Sequence, residues 1–186
     1  MNRVLWQKLV LLLVLGTAAR SECFAQNMLI AGGEYNQYSP RVWDVYAGFN
    51  MELYGEHLQN DLLLSFGSVD VASGDGGASG SRYFFRFKDN VYVSWDTRVI
   101  GFRAGVAVSF GVYDVSGFPT DWGFLGTAAA FAGICLLPKA LISVTVDVFP
   151  GRAWAFHATT APAVSVDEAG FMLPIAVGIR FNLDKL

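Results

Sequence analysis

A hydroxyl becomes a nucleophile when a neighbouring base takes its proton. One stretch of this sequence holds such parts: His157 and Thr159, then Ser165, Asp167 and Glu168. A lone histidine in a polar segment is ordinarily a solvated side chain, so no catalysis is expected. No metal centre is expected either. His57 and His157 are far apart, and Cys135 has no Cys or His near it. Asp70 and Asp75 beside Gly76-Gly77 supply too few oxygens for a calcium loop. No glycine-rich phosphate fingerprint occurs, so no cofactor is expected. There is no basic run or basic helix, which argues against nucleic-acid binding.

A second set of chemical groups is more ordered. Asp44, Glu52, Arg82, Arg86, Lys88, Arg103, Asp147 and Arg180 sit within alternating segments and carry mixed sign. Charges of mixed sign on one face can pair across an enclosed space or line a polar path.

The elements that position them read as strands. In a strand, successive side chains point to opposite faces. Trp43, Val45, Ala47, Phe49, Met51 and Leu53 share an apolar face opposite Asp44, Tyr46, Gly48, Asn50 and Glu52. Tyr83, Phe85, Phe87, Val91, Val93 and Trp95 oppose Arg82, Arg86, Lys88, Asn90 and Ser94. Phe84 and Asp89 break that pattern, and Asp89-Asn90 admits a tight turn. Val99 to Tyr113 sets Ile100, Phe102, Ala104, Val106, Val108, Phe110 and Val112 against Gly101, Arg103, Gly105, Ala107, Ser109 and Gly111. The small members of that face leave room beside the strand. Leu141 to Val148 and Phe171 to Leu183 alternate likewise. Leu62 to Val71, Trp122 to Leu136 and a weak Met28 to Asn36 complete about eight strands, each long enough to cross a bilayer when tilted.

The connections alternate in length. The stretches 74–81, 115–121 and 158–170 are long, while Thr97-Arg98 and 137–139 are short, and 55–60 is intermediate. Short turns on one side and longer loops on the other is the pattern of outer-membrane barrels. It requires Pro150-Gly151 to lie inside a strand as a bulge; a turn there instead would shift the strand parity and the loop assignment with it.

Composition agrees. The chain of 186 residues is 53% hydrophobic and 16% charged, against roughly 25% charged in a soluble domain. Trp122 to Leu137 is the nearest approach to an apolar helical span, but it is short and ends at Pro138. Residues 1–25 read as a cleaved signal peptide: Arg3 and Lys8, an apolar core from Leu9 to Gly16, then Cys23-Phe24-Ala25. Arg20, Ser21 and Glu22 before Cys23 do not make a lipidation motif. Residues 26–186 form the expected barrel domain.

Two features point the apolar face outward. The polar face carries too few charges to be a soluble exterior. Trp43, Trp95, Trp122 and Trp154 lie near strand ends, where an aromatic girdle meets the membrane interface. On this pattern the chain resembles the small eight-stranded outer-membrane barrels of the OmpA, OmpX and OmpW type. Gly178, Phe181 and Leu183 match the spacing of the C-terminal signal read by the outer-membrane assembly machinery. The ending Asp184-Lys185-Leu186 departs from it, since the family often stops at the final aromatic.

The resemblance implies an all-β, up-and-down transmembrane barrel in the bacterial outer membrane, with outer-membrane lipid and the assembly machinery as partners. It implies a narrow OmpW-like channel for small or hydrophobic molecules. A closed barrel acting in adhesion to a host ligand, ligand capture or envelope structure is the alternative. Some such barrels modify lipid A with a His and a Ser at the outer rim, and Thr159 departs from that serine.

Overall fold

The computed structural model describes residues 28–38, 41–54, 57–71, 80–114, 122–158 and 164–186. The expected signal peptide lies outside these residues. Ten strand segments follow one another: β1 (Met28–Asn36), β2 (Arg41–Tyr54), β3 (Leu58–Val71), β4 (Gly80–Asp96), β5 (Ile100–Asp114), β6 (Trp122–Leu136), β7 (Ile142–Val148), β8 (Gly151–Ala158), β9 (Val164–Met172) and β10 (Ile175–Asn182). All the pairings are antiparallel, and β1 pairs with both β2 and β10. The sheet therefore closes on itself.

The barrel has eight strands because β7–β8 and β9–β10 are two interrupted strands. The register β6 keeps with β7 it also keeps with β8, from Ala132↔Val148 to Ala129↔Gly151. Across the next seam it runs from Ile175↔Val148 to Met172↔Gly151. Phe149 and Pro174 fall opposite each other there, and the Phe149 amide donates to the Pro174 carbonyl at 3.0 Å. Pro150 and Pro174 have no N–H to give, so the ladder thins where they sit side by side. The bulge expected at Pro150-Gly151 is thus absent, and the strand passes through in register. A register shift does occur further along, between Ala155 and Phe156.

Three other expectations are corrected. Asp89-Asn90 is not a turn, since β4 runs unbroken over 17 residues. Strand β3 begins at Leu58 rather than Leu62, which shortens the adjoining turn. Strand β9 begins at Val164, so much of the expected 158–170 loop is sheet. The connections at one end, after Tyr54, at 97–99 and at 137–141, are all short; at the other end 72–79 and 115–121 are longer, while 37–40 and 159–163 are not. In the 137–141 turn, Leu137 adopts φ 55°, a left-handed conformation that costs a branched L-residue roughly 1–2 kcal/mol.

The alternation survives folding intact. Trp43, Val45 and Phe49 of β2, Tyr83, Phe85 and Phe87 of β4, Phe102, Val106, Val108 and Phe110 of β5, and Ile175, Val177, Ile179 and Phe181 of β10 are all exposed. Their polar neighbours point into the barrel. A closed sheet satisfies its ladder hydrogen bonds internally, and an apolar exterior with a charged interior suits lipid rather than water. The chain is a multi-pass transmembrane barrel of the bacterial outer-membrane kind. Trp43 and Trp95 stand exposed on the outer surface, and Trp154 is partly exposed. The Trp122 side chain lies outside the described residues.

Candidate functional site

Reading inward positions along each strand, from the loop end to the turn end, yields a layered lumen. Strand β2 places Val42, Asp44, Tyr46 and Asn50 in turn, and β4 places Phe84, Arg86, Lys88, Asn90 and Tyr92. Strand β3 gives Val69, Ser65, Leu63, Asp61 and Gln59. The rhythm is apolar, ionic, apolar, ionic.

The outermost layer packs Val42, Val69, Phe84, Tyr113 and Leu125 together. Phe84, which breaks the alternation of β4, therefore has a place in the interior. Beneath it lies the first ionic layer. Arg86 donates to Asp44 and to Glu34 Oε1, the latter at 2.9 Å. Lys88 Nζ reaches Glu34 Oε2 at 2.8 Å and Asp44 Oδ1 at 3.2 Å. Two cations thus share two carboxylates from β1 and β2, which offsets the cost of burying all four. Arg86 also lies over the Phe84 ring, 5.3 Å from its centroid, and Lys88 over Tyr46 at 5.0 Å.

An apolar layer follows, built from Ile30, Tyr46, Leu63, Tyr92, Ala107, Phe131, Phe149 and Ala176. Phe131 packs edge-on against Tyr92, with centroids 5.4 Å apart. Tyr46 reaches across to β1 and β10, where Gly32 and Gly178 make room. A Cβ built on Gly178 would stand 2.9 Å from the Tyr46 hydroxyl.

The second ionic layer lies towards the turn end. Asp61 accepts from Arg180 and lies 3.7 Å from Arg103 Nη1, while Arg103 also donates to Asp147. Asn50 Nδ2 donates to Asp61 Oδ1 at 2.8 Å, and the Tyr92 hydroxyl lies 2.9 Å from Gln59 Oε1. Both guanidinium groups lie over the Tyr92 ring.

Of the residues singled out in the sequence, Asp44, Arg86 and Lys88 meet in the first layer, and Arg103, Asp147 and Arg180 in the second. Glu52 and Arg82 occupy half-buried positions towards opposite ends of the barrel and are not part of either cluster as described. Sequence reasoning missed Glu34 and Asp61, the carboxylates that join each cluster together. The inward glycines of β5 do not leave open space. A Cβ on Gly105 would meet Tyr92, and one on Gly111 would meet Arg86. Cavities beside the two ionic layers measure about 20 and 10 Å³, the scale of single water molecules.

The expected assembly signal divides between two elements. Gly178 faces the lumen and Phe181 is exposed on β10, but Leu183 has left the strand. It opens a one-turn 3-10 helix, Leu183–Lys185, capped by the Asn182 side chain accepting from the Asp184 amide. At the loop end, His157 and Ser165 are register partners across β8 and β9, and Thr159 lies outside the described residues.

No protein-family model matches the chain, and no curated protein matches it. Several solved structures resemble it, three outer-membrane proteins among them. A major outer membrane protein of Thermus thermophilus shares 13% identity, with 86% of this chain and 100% of that one covered and a TM-score of 0.44. Neisserial surface protein A shares 8%, with 85% and 96% covered and a TM-score of 0.49. The Yersinia pestis outer membrane protein Ail shares 10%, with 84% and 99% covered and a TM-score of 0.39.

Proposed function

We infer that this protein is a closed outer-membrane barrel, sealed by its own side chains, that acts through its surface and not through its lumen. The observation that carries this reading is the filled interior. Two ionic layers and two apolar layers occupy the cross-section, and the cavities between them are water-sized. An eight-stranded barrel is just wide enough for side chains to fill it. Its roles are then envelope structure, adhesion or capture of a ligand at the loop end. Insertion by the outer-membrane assembly machinery, with Gly178 and Phe181 on the last strand, belongs to the same reading. It includes no catalysis.

The narrow OmpW-like channel for small or hydrophobic molecules is the competing reading. What favours it is that ion pairs fill two of the layers, since ion pairs can exchange partners. Conduction would require Arg86 and Lys88 to leave Glu34 and Asp44, and the apolar layer around Tyr46 to part as well.

Swelling of vesicles carrying the refolded protein separates the two. A closed barrel gives no swelling in a small sugar above that of empty vesicles. Swelling that depends on the protein establishes the channel.

A further inference from the structure

The turn end of the barrel does not close as the lumen does. A cavity of about 240 Å³ opens there, lined by His57, Gln59, Ser94, Asp96, Lys139 and Lys185, with Pro138 and Asn182 completing the wall. Its lining comes from four separate places in the chain: the turn before β3 with the start of that strand, the end of β4, the turn after β6 and the C-terminal 3-10 turn. Gln59, Ser94 and Asn182 are buried, so the floor is polar and held in place. Gln59 is fixed by Tyr92 and Asn50, which tie it to the second ionic layer beneath. His57 is fixed too, with Nδ1 3.2 Å from the Ser94 carbonyl and its own carbonyl accepting from the Ser94 amide at 2.8 Å.

The rim is basic. Lys139 and Lys185 stand on different turns at this cavity, with His57 between strands β2 and β3. Asp96 is the one carboxylate among the lining residues. Neither lysine is held in an ion pair with a described residue. Two ammonium groups facing a concave, hydrogen-bonding floor form a receptor for negative charge. Below the floor, Asp61, Arg103, Arg180 and Tyr92 block passage, so the cavity is a dead end and not a channel mouth.

We propose that this turn-end vestibule is a binding site for a small oxyanion, a phosphate monoester or the carboxylate end of a short peptide, presented from the side of the short turns, which in outer-membrane barrels is the periplasm. The volume is below that of a drug-sized pocket, which limits the ligand to a few heavy atoms beyond the anionic group. Lys139 and Lys185 supply the charge, and Gln59, Ser94 and Asn182 supply the hydrogen bonds that distinguish a ligand from a screening ion.

The test is a titration of the whole refolded chain in lipid nanodiscs, followed by amide chemical shifts. Inorganic phosphate and N-acetylglycine are the two probes, with chloride at matched ionic strength as the control. The expected result is saturable shifts at Ser94, Lys139 and Lys185 with one or both probes, and none with chloride. Phosphate alone points to a phosphate ligand; N-acetylglycine alone points to a peptide carboxylate. Replacing both lysines, as Lys139→Gln with Lys185→Gln, should weaken binding by about tenfold or more while leaving the barrel spectrum unchanged. Both lysines are exposed, so these variants fold. Shifts that fail to saturate, that chloride reproduces, or that survive the double substitution overturn the proposal.

Discussion

Glu34 and Lys88 meet at 2.8 Å across the lumen, although they stand on β1 and β4, which share no hydrogen bond in the sheet. The contact is a strut spanning the barrel. Asp44 on β2 and Arg86 on β4 complete it, so three strands are held at a fixed separation by one buried cluster. Removing one member leaves an uncompensated charge in an enclosed space, which ordinarily costs about 3–5 kcal/mol. Lys88→Met should destabilise the barrel by about 3 kcal/mol in urea unfolding. Adding Glu34→Gln removes the stranded charge, and the double variant should recover at least about 1 kcal/mol of that loss. Simple additivity of the two substitutions would show that no strut exists.

Gly178 should be intolerant for a specific reason. A Cβ there would press on the Tyr46 hydroxyl at 2.9 Å and on Thr145 Oγ1 at 3.0 Å. Gly178→Ala is expected to cost about 1–3 kcal/mol from overpacking. Both obstacles are hydroxyl oxygens, so removing one of them with Tyr46→Phe should restore part of the loss. Thermal unfolding of the two single variants and the double reads this directly, and equal stability of Gly178→Ala and its Tyr46→Phe partner would contradict the packing described.

Asp89 is an acid on the lipid face. It accepts from the Asn60 side chain on β3, and Asn60 Nδ2 also reaches the Asn90 carbonyl at 3.3 Å. Charge on the lipid face of a barrel destabilises it according to its depth. Converting the pair to Asp89→Leu with Asn60→Leu should therefore raise stability in vesicles, by about 1 kcal/mol or more. Asp89→Leu alone should gain less, since it strands the Asn60 amide. A loss of stability in the double variant would indicate that the pair is held for a role beyond folding.

The same pair explains what was and was not legible in the sequence. Alternation has period two, and lipid outside a barrel enforces it, so β2, β5, β7 and β10 and their facing could be read directly. Asn60 and Asp89 are polar residues on the apolar side because they bond to each other across β3 and β4. That contact is invisible in one dimension. Asn60 made residues 58–61 resemble a loop, which hid Asp61, and Asp89 made a turn thinkable in the middle of β4. Glu34 was obscured differently: it follows Gly32-Gly33, which interrupt the alternation of β1. After Val164 the chain carries Asp167 and Glu168 close together, which reads as a loop although the backbone is sheet. The filling of the lumen was not legible at all. Gly105 and Gly111 look like open space until Tyr92 and Arg86 are seen to occupy it.

The sealed lumen is the central claim, and ion conductance tests it more stringently than the passage of sugars. The refolded protein should be placed in a planar bilayer with potassium chloride on both sides. The layers around Glu34, Asp44, Arg86 and Lys88, and around Tyr46, predict no steady conductance above that of the bare membrane. Discrete, protein-dependent conductance steps that change size in Arg86→Ala or Arg103→Ala would contradict the closed barrel and establish a path through the ionic layers.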